Sequence, residues 1–243
     1  FVTAAPMAVT DMVVHPDGSM YFAVGGRRTS SALYRVRYAG SESTESTTPQ
    51  YSDAVVEAQQ LRRSLEAFHG KQDDKAIAAA IPNLGHSDRS IRFAARIALE
   101  HQPVLEWHAA ALSVDQPLAV ITAAYALARS GAKEAQSKLV DKLLAIDFDS
   151  LSASDKLELL RAYQLVWLRL QAPTEAQRTQ VLAQLNSSFP GTQPLVNREL
   201  AAMLVYLNAD QVVDRVVEQL TMASAQEDQI HYAFVLRDAK DGW

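Results

Sequence analysis

The sequence predicts a mainly α chain, with a helical-repeat array over residues 51–243 preceded by a small antiparallel β-meander. Three observations predict this. Glycine is scarce, at 9 of 243 residues, while alanine, the strongest helix former, occurs 39 times. Strand signals are confined to the first forty residues and vanish from Tyr51 onward. Beyond that point the chain breaks into short segments of helical apolar period, each with its own start and stop chemistry.

The meander is expected first. Val9 to Val14 is a β-rich run, and His15-Pro16-Asp17-Gly18 is a turn signal in which Pro presets φ and Gly accepts positive φ. Ser19 to Val24 reads as a second strand. Gly25-Gly26-Arg27-Arg28-Thr29-Ser30 reads as a polar connection. Ala32 to Tyr38 reads as a third strand, with Leu33, Arg35 and Arg37 on one face and Tyr34, Val36 and Tyr38 on the other. A lone three-stranded sheet is marginal and leaves its edges exposed, so neighbours are expected. Residues 40–50, GSESTESTTPQ, hold no apolar residue and read as a linker between a domain at 1–39 and one at 51–243.

The helical segments follow in order. Asp53 to His69 ends near Gly70. Asp73 to Leu84 is the next, and Arg89 to His101 follows behind an N-cap at Asp88 or Ser87. In that helix Ile91, Ala94, Ala95, Ala98 and Leu99 form one apolar stripe. Pro103 opens a short helix to Leu112. Asp115-Gln116-Pro117 caps one to Arg129, stopped by Gly131. Lys133–Ile146, Ser154–Leu170, Glu175–Leu185, Pro194–Leu207, Ala209–Met222 and Ala225–Arg237 complete an expected set of about ten. Repetition is visible but irregular. Phe93-Ala94-Ala95-Arg96-Ile97-Ala98-Leu99 resembles Ile121-Thr122-Ala123-Ala124-Tyr125-Ala126-Leu127, and Arg198 to Leu204 is a looser copy. Small residues at such positions let helix axes approach closely.

Composition removes several chemistries. The chain has no cysteine, which excludes disulfides, Cys-ligated zinc, thiol catalysis and a covalently attached c-type haem within it. A net charge of −5 argues against nucleic-acid binding by phosphate neutralisation. No apolar run approaches the ~18 residues that cross a bilayer, so no membrane span is expected.

The stretch Asp11-Met12-Val13-Val14-His15-Pro16-Asp17-Gly18-Ser19-Met20-Tyr21-Phe22, with Gly25-Gly26-Arg27-Arg28 and Leu33-Tyr34-Arg35-Val36-Arg37-Tyr38, resembles the last blade of a glucose/sorbosone-dehydrogenase-like β-propeller. Asn83 to Arg96 is similar to a HEAT repeat, and His231 to Trp243 also resembles this family of large secreted proteins. The resemblance implies a propeller remnant, a HEAT-like α-solenoid, and a c-type cytochrome domain following it. It implies that a chain starting at Phe1 and stopping at Trp243 is a piece of a larger protein, placed in the periplasm or outside the cell. Partners would be the remaining propeller blades and the cytochrome domain, with haem c in the parent and no cofactor in this chain.

Four residues stand out as possible ligand or interface groups. Arg27 and Arg28 follow two glycines and could grip a carboxylate, phosphate or sugar-acid oxygen, or pair with a neighbouring blade. Arg92 and Arg96 lie one turn apart and could reach acids on an adjacent helix, or solvent. Other groupings read as structure. His15 and Asp17 belong to a turn in which Asp17 bonds its own backbone. Glu100, His101, Glu106, Trp107 and His108 surround a helix corner broken by Pro103. Asp147, Asp149 and Asp155 lack the Gly and final Glu of a calcium loop and read as cap chemistry. No catalytic residue is assigned. The expected role is a helical scaffold linking the propeller to the cytochrome domain. The alternatives are a fragment of a haem-linked sugar or alcohol dehydrogenase, and a peptide-binding adaptor with no redox link.

Overall fold

The computed structural model describes residues 4, 5, 7–43 and 49–242. Phe1, the centre of the expected linker (44–48) and Trp243 lie outside the described residues. Contacts divide the chain into two compact units, 1–52 and 53–243.

The first unit is a three-stranded antiparallel sheet in the order β1 (Val9–Val14), β2 (Met20–Gly26), β3 (Thr29–Val36). The β1–β2 turn closes with the His15 N–H on the Ser19 carbonyl at 2.8 Å, and Gly18 takes φ 77°. Asp17 Oδ1 accepts the Ser19 N–H at 2.8 Å, as the Pro-Asp-Gly reading expects. Its other oxygen accepts from Arg35 Nη2 at 2.9 Å, which ties the turn to β3. The expected six-residue connection after Val24 is much shorter. The ladder continues to the Gly26–Thr29 pair, leaving only Arg27 and Arg28 at the tip, with Arg28 at φ 66°. Gly26 pairs with Thr29, while Gly25 sits in a bulge between the Val24 and Gly26 pairs with its N–H on the Ala8 carbonyl at 3.0 Å. Phe22 stacks on Tyr34 at 5.0 Å and is the one large apolar side chain of the three strands that is buried. Val13, Val14 and Leu33 are all more than 60% exposed.

The Ser19 N–H and hydroxyl hold the Asp17 carboxyl well below its usual range, at about 2. A depressed carboxylate stabilises the fold above its unfolded value of 3.8 and loses that contribution as pH falls through about 2. The Ser19 amide resonance should therefore titrate with a midpoint near pH 2, and the turn should loosen as pH falls below about 4 towards it. Asp17→Asn should abolish that titration. An unchanged Ser19 profile in D17N would refute the assignment.

The second unit holds eleven α-helices among the described residues: α1 (Asp53–Glu66), α2 (Ala76–Ala80), α3 (Arg89–Glu100), α4 (Val104–Leu112), α5 (Pro117–Ser130), α6 (Gln136–Leu144), α7 (Ala153–Arg169), α8 (Glu175–Leu185), α9 (Pro194–Tyr206), α10 (Val212–Met222) and α11 (Gln226–Leu236). The fold is thus mainly α with a small antiparallel sheet ahead of it. The expected ends mostly follow from local capping. Asp88 caps α3, Gly131 ends α5 at φ 75°, and Thr174 with Gln177 forms a capping box on α8. Two segments differ. Residues 73–84, expected as one helix, yield only the short α2 and a 3₁₀ turn at Ile81–Asn83, where Pro82 has no N–H to offer. The cap of α7 is Ser152 rather than Ser154, with its hydroxyl accepting from the Asp155 N–H.

The odd-numbered helices pack in sequence: α1 on α3, α3 on α5, α5 on α7, α7 on α9, and α9 on α11. The even-numbered helices pack against their chain neighbours, with the α7–α8 junction the loosest. Ala98, Ala126, Ala162 and Ala201, one on each of α3, α5, α7 and α9, are completely buried. A methyl at the contact lets neighbouring axes close together. All three copies of the small-residue repeat fall on odd-numbered helices.

Between even helices the core is partly polar. Gln136 on α6 and Gln177 on α8 exchange side-chain hydrogen bonds of 3.0 and 3.2 Å while both are buried. Guanidinium groups close the links between helices. Arg178 donates to the carbonyls of Leu207 and Asn208, and Arg215 to those of Asn186 and Phe189. Each satisfies main-chain acceptors that a helix end leaves orphaned.

Candidate functional site: an arginine-lined groove

The polar faces of α3, α5 and α7 meet in a groove of about 360 Å³. From α3 come Arg89, Arg92, Phe93 and Arg96, spaced i, i+3, i+4 and i+7. From α5 come Thr122, Tyr125 and Arg129, and from α7 Glu158, Arg161 and Leu165. These positions flank the buried stripe on each helix, which is why three separate helices present them together.

Arg92 is the buried member, only 7% exposed. Its Nη1 donates to the carbonyls of His86 and Ser87 at 2.8 and 3.0 Å, ahead of its own helix. Its Nη2 reaches Glu158 on α7 at 3.3 Å. Glu158 also faces Arg89 Nε at 3.9 Å. The Tyr125 hydroxyl donates to the Glu158 carbonyl at 2.7 Å. Burial, reinforced by the Glu158 charge, pushes the Tyr125 phenol far above its usual range, so it stays a neutral donor. Arg96 is anchored differently. Its Nη1 binds Glu100 at 2.5 Å, the other Glu100 oxygen accepts from Arg129 Nε at 2.9 Å, and its guanidinium lies 4.9 Å from the Phe93 ring centre.

Four of the five guanidinium groups thus share two carboxylates, Arg89 and Arg92 on Glu158 and Arg96 and Arg129 on Glu100. The excess of positive charge lies on a chain whose net charge is −5. The Arg89 side chain makes no hydrogen bond among the described residues beyond its 3.9 Å ion pair with Glu158, and the Arg161 guanidinium binds only the Gln164 amide oxygen, at 3.0 Å. These two line the groove from α3 and α7, and both are exposed.

A second, apolar recess of about 410 Å³ lies one helix further on, between α7 and α9. Trp167, Leu168, Met203 and Tyr206 line it, together with Gln164 and Ala202. Trp167 stacks on Tyr206 at 5.7 Å. Leu168 is 76% exposed, and the buried Trp167 indole N–H has no acceptor among the described residues. Gln164 joins the two recesses, accepting from Arg161 and donating to Glu199 at 2.9 Å.

Of the four residues singled out from the sequence, Arg92 and Arg96 line the groove, while Arg27 and Arg28 sit exposed at the β2–β3 tip in the other unit. Most N–H groups of Arg92 are engaged inside the chain. Arg89, Arg129, Arg161, Glu158 and Tyr125 escaped sequence reasoning. The helical spacing of their helices carried the signal, but which helices are neighbours did not.

The other groupings separate in space. Trp107 is fully buried and donates to the Gln102 carbonyl, His108 bonds the Leu105 carbonyl, and Glu100 binds Arg96 and Arg129. Asp147 accepts the Asp149 N–H, and Asp155 binds Ser152 at the α7 cap. Among the described residues no three His, Asp or Glu side chains converge as a metal site, and no helix is long and apolar enough to cross a membrane. No protein-family model, curated protein or solved structure matches the chain.

Proposed function

We propose that residues 53–243 are a helical-repeat scaffold of HEAT-like solenoid type that holds a protein partner on the exposed faces of its odd-numbered helices. The observation that carries this reading is the pair of recesses on α3, α5, α7 and α9, one cationic and one apolar, joined through Gln164. Large side chains left exposed beside unpaired charge are what an interaction surface needs, with apolar area for affinity and charge for orientation. The sequential packing of odd helices, each on the next, supports the repeat reading.

The likeness to the sugar-dehydrogenase-like family extends the proposal. The β-meander leaves most of its apolar side chains uncovered, which suits a blade completed by further strands. In that reading the scaffold joins a propeller to a cytochrome c domain outside the cytoplasm. The haem belongs to that domain, because haem c is attached through cysteines and this chain has none.

Incubating the full chain with an unbiased peptide pool and mapping hydrogen exchange tests the scaffold role. Protection gathered on α3, α5, α7 and α9 is the expected result. Protection only on even-numbered helices, or none anywhere, would overturn it.

A further inference from the structure

We propose that the two joined recesses bind an extended acidic peptide segment, with carboxylates in the arginine groove and one large apolar side chain in the recess against Trp167. This deepens the scaffold reading and rests on it.

The charge argues for an acidic ligand. Arg92 and Arg96 are engaged by Glu158, Glu100 and main-chain carbonyls, and these contacts hold the groove in shape without a ligand. Arg89 and Arg161 are left exposed on α3 and α7, and Arg129 is half exposed with one nitrogen on Glu100. Guanidinium forks in this position take carboxylates in paired hydrogen bonds. The rest of the chain carries the opposite charge, so the groove is a local attractor for acidic side chains.

Geometry sets the spacing of the ligand. Arg161 and Leu168 are seven residues apart on the straight run of α7, so their Cα atoms are about 10 Å apart along the axis. An extended peptide covers that distance in about three residues. The preferred segment therefore has carboxylates and then, about three positions away, a Phe, Trp, Leu or Met. Gln164, held between Arg161 and Glu199, links the two recesses along α7.

A peptide suits the site better than an anionic membrane. Two of the groove's five guanidinium groups are largely buried between helices, and the net charge of the chain opposes an anionic surface.

The test uses the full chain and a short fluorescent peptide in which three glutamates and a Gly-Ser spacer precede a phenylalanine. Binding is followed by polarisation, and the expected affinity is in the micromolar range and weakens with added salt. Glutamine in place of the glutamates, or alanine in place of the phenylalanine, should each weaken binding at least tenfold. Arg89→Glu, Arg161→Glu and Leu168→Asp should do the same. All three side chains are exposed, so folding is not at stake, and circular dichroism confirms it. Lys138→Glu on α6 is the control and should leave binding unchanged.

Binding that ignores R89E, R161E and L168D overturns the proposal, as does stronger binding to phosphatidylserine vesicles than to the peptide. If the acidic peptide fails while the unbiased pool still protects α3 to α9, the ligand chemistry is wrong and the scaffold reading stands. If neither binds, both fall.

Discussion

Replacing Trp107 by Ala should lower the unfolding free energy of the helical unit by about 4 kcal/mol. The side chain is fully enclosed between α4 and its neighbours, so truncation leaves a cavity that packed helices cannot fill by collapse. The loss is not only apolar. The indole N–H donates to the Gln102 carbonyl at 3.2 Å, and the Gln102 side chain in turn donates to the carbonyls of Lys71 and Ala98 and accepts from the Asp73 N–H. Trp107 therefore steadies the residue that joins the α1–α2 link to the end of α3. Trp107→Phe keeps most of the packing but orphans one carbonyl, and about 1–2 kcal/mol should be lost. Guanidinium unfolding followed by helical circular dichroism separates the two. Equal losses in both variants would show that packing contributes little here.

Replacing Arg92 by Ala should cost about 3 kcal/mol. It removes a nearly buried guanidinium and leaves the His86 and Ser87 carbonyls and the Glu158 carboxylate with unmet hydrogen bonds. Breaking one side of a buried ion pair is expensive because the remaining charge stays desolvated. Arg92→Lys keeps the charge but cannot reach three acceptors at once, and it should lie between Ala and the parent protein. The double variant R92A/E158Q should recover part of the loss, since the stranded charge is gone. Additive losses in the double variant would contradict a direct Arg92–Glu158 coupling.

Arg92 shows how far the sequence could be read. It stood out because two arginines one turn apart beside an apolar stripe suggest a ladder of acid partners. Its partner on α7 lies 66 residues further along the chain, and no local pattern names it. The helix ends were legible for the opposite reason. Asp88, Gly131 and Thr174 act on N–H and C=O groups within a few residues, so their chemistry is written beside them. The sheet was legible in its strands but not in its second turn. Two glycines and two arginines read as a loop, yet the ladder runs on to Gly26 because pairing with β3 outweighs the weak strand preference of glycine.

The groove lies at the far end of this scale. Arg89, Tyr125, Arg129, Glu158 and Arg161 are unremarkable surface residues on their own helices. They become a site only when α3, α5 and α7 lie side by side, and that order follows from buried methyl groups such as Ala98, Ala126 and Ala162. The Gln136–Gln177 pair is the same kind of feature, two amides that mean little apart and satisfy each other when α6 meets α8.

By itself the sequence determined the class of the chain, the positions of nearly all its helices and strands, and the chemistries that the lack of cysteine rules out. Those properties depend on composition, period and capping, which act over a turn or two of backbone. Tertiary structure alone decided which helices are neighbours, which arginines brace the fold and which face outward, and that a cationic and an apolar recess share α7. Those depend on packing between residues tens of positions apart, where the free energy is set by shape and burial rather than by local sequence.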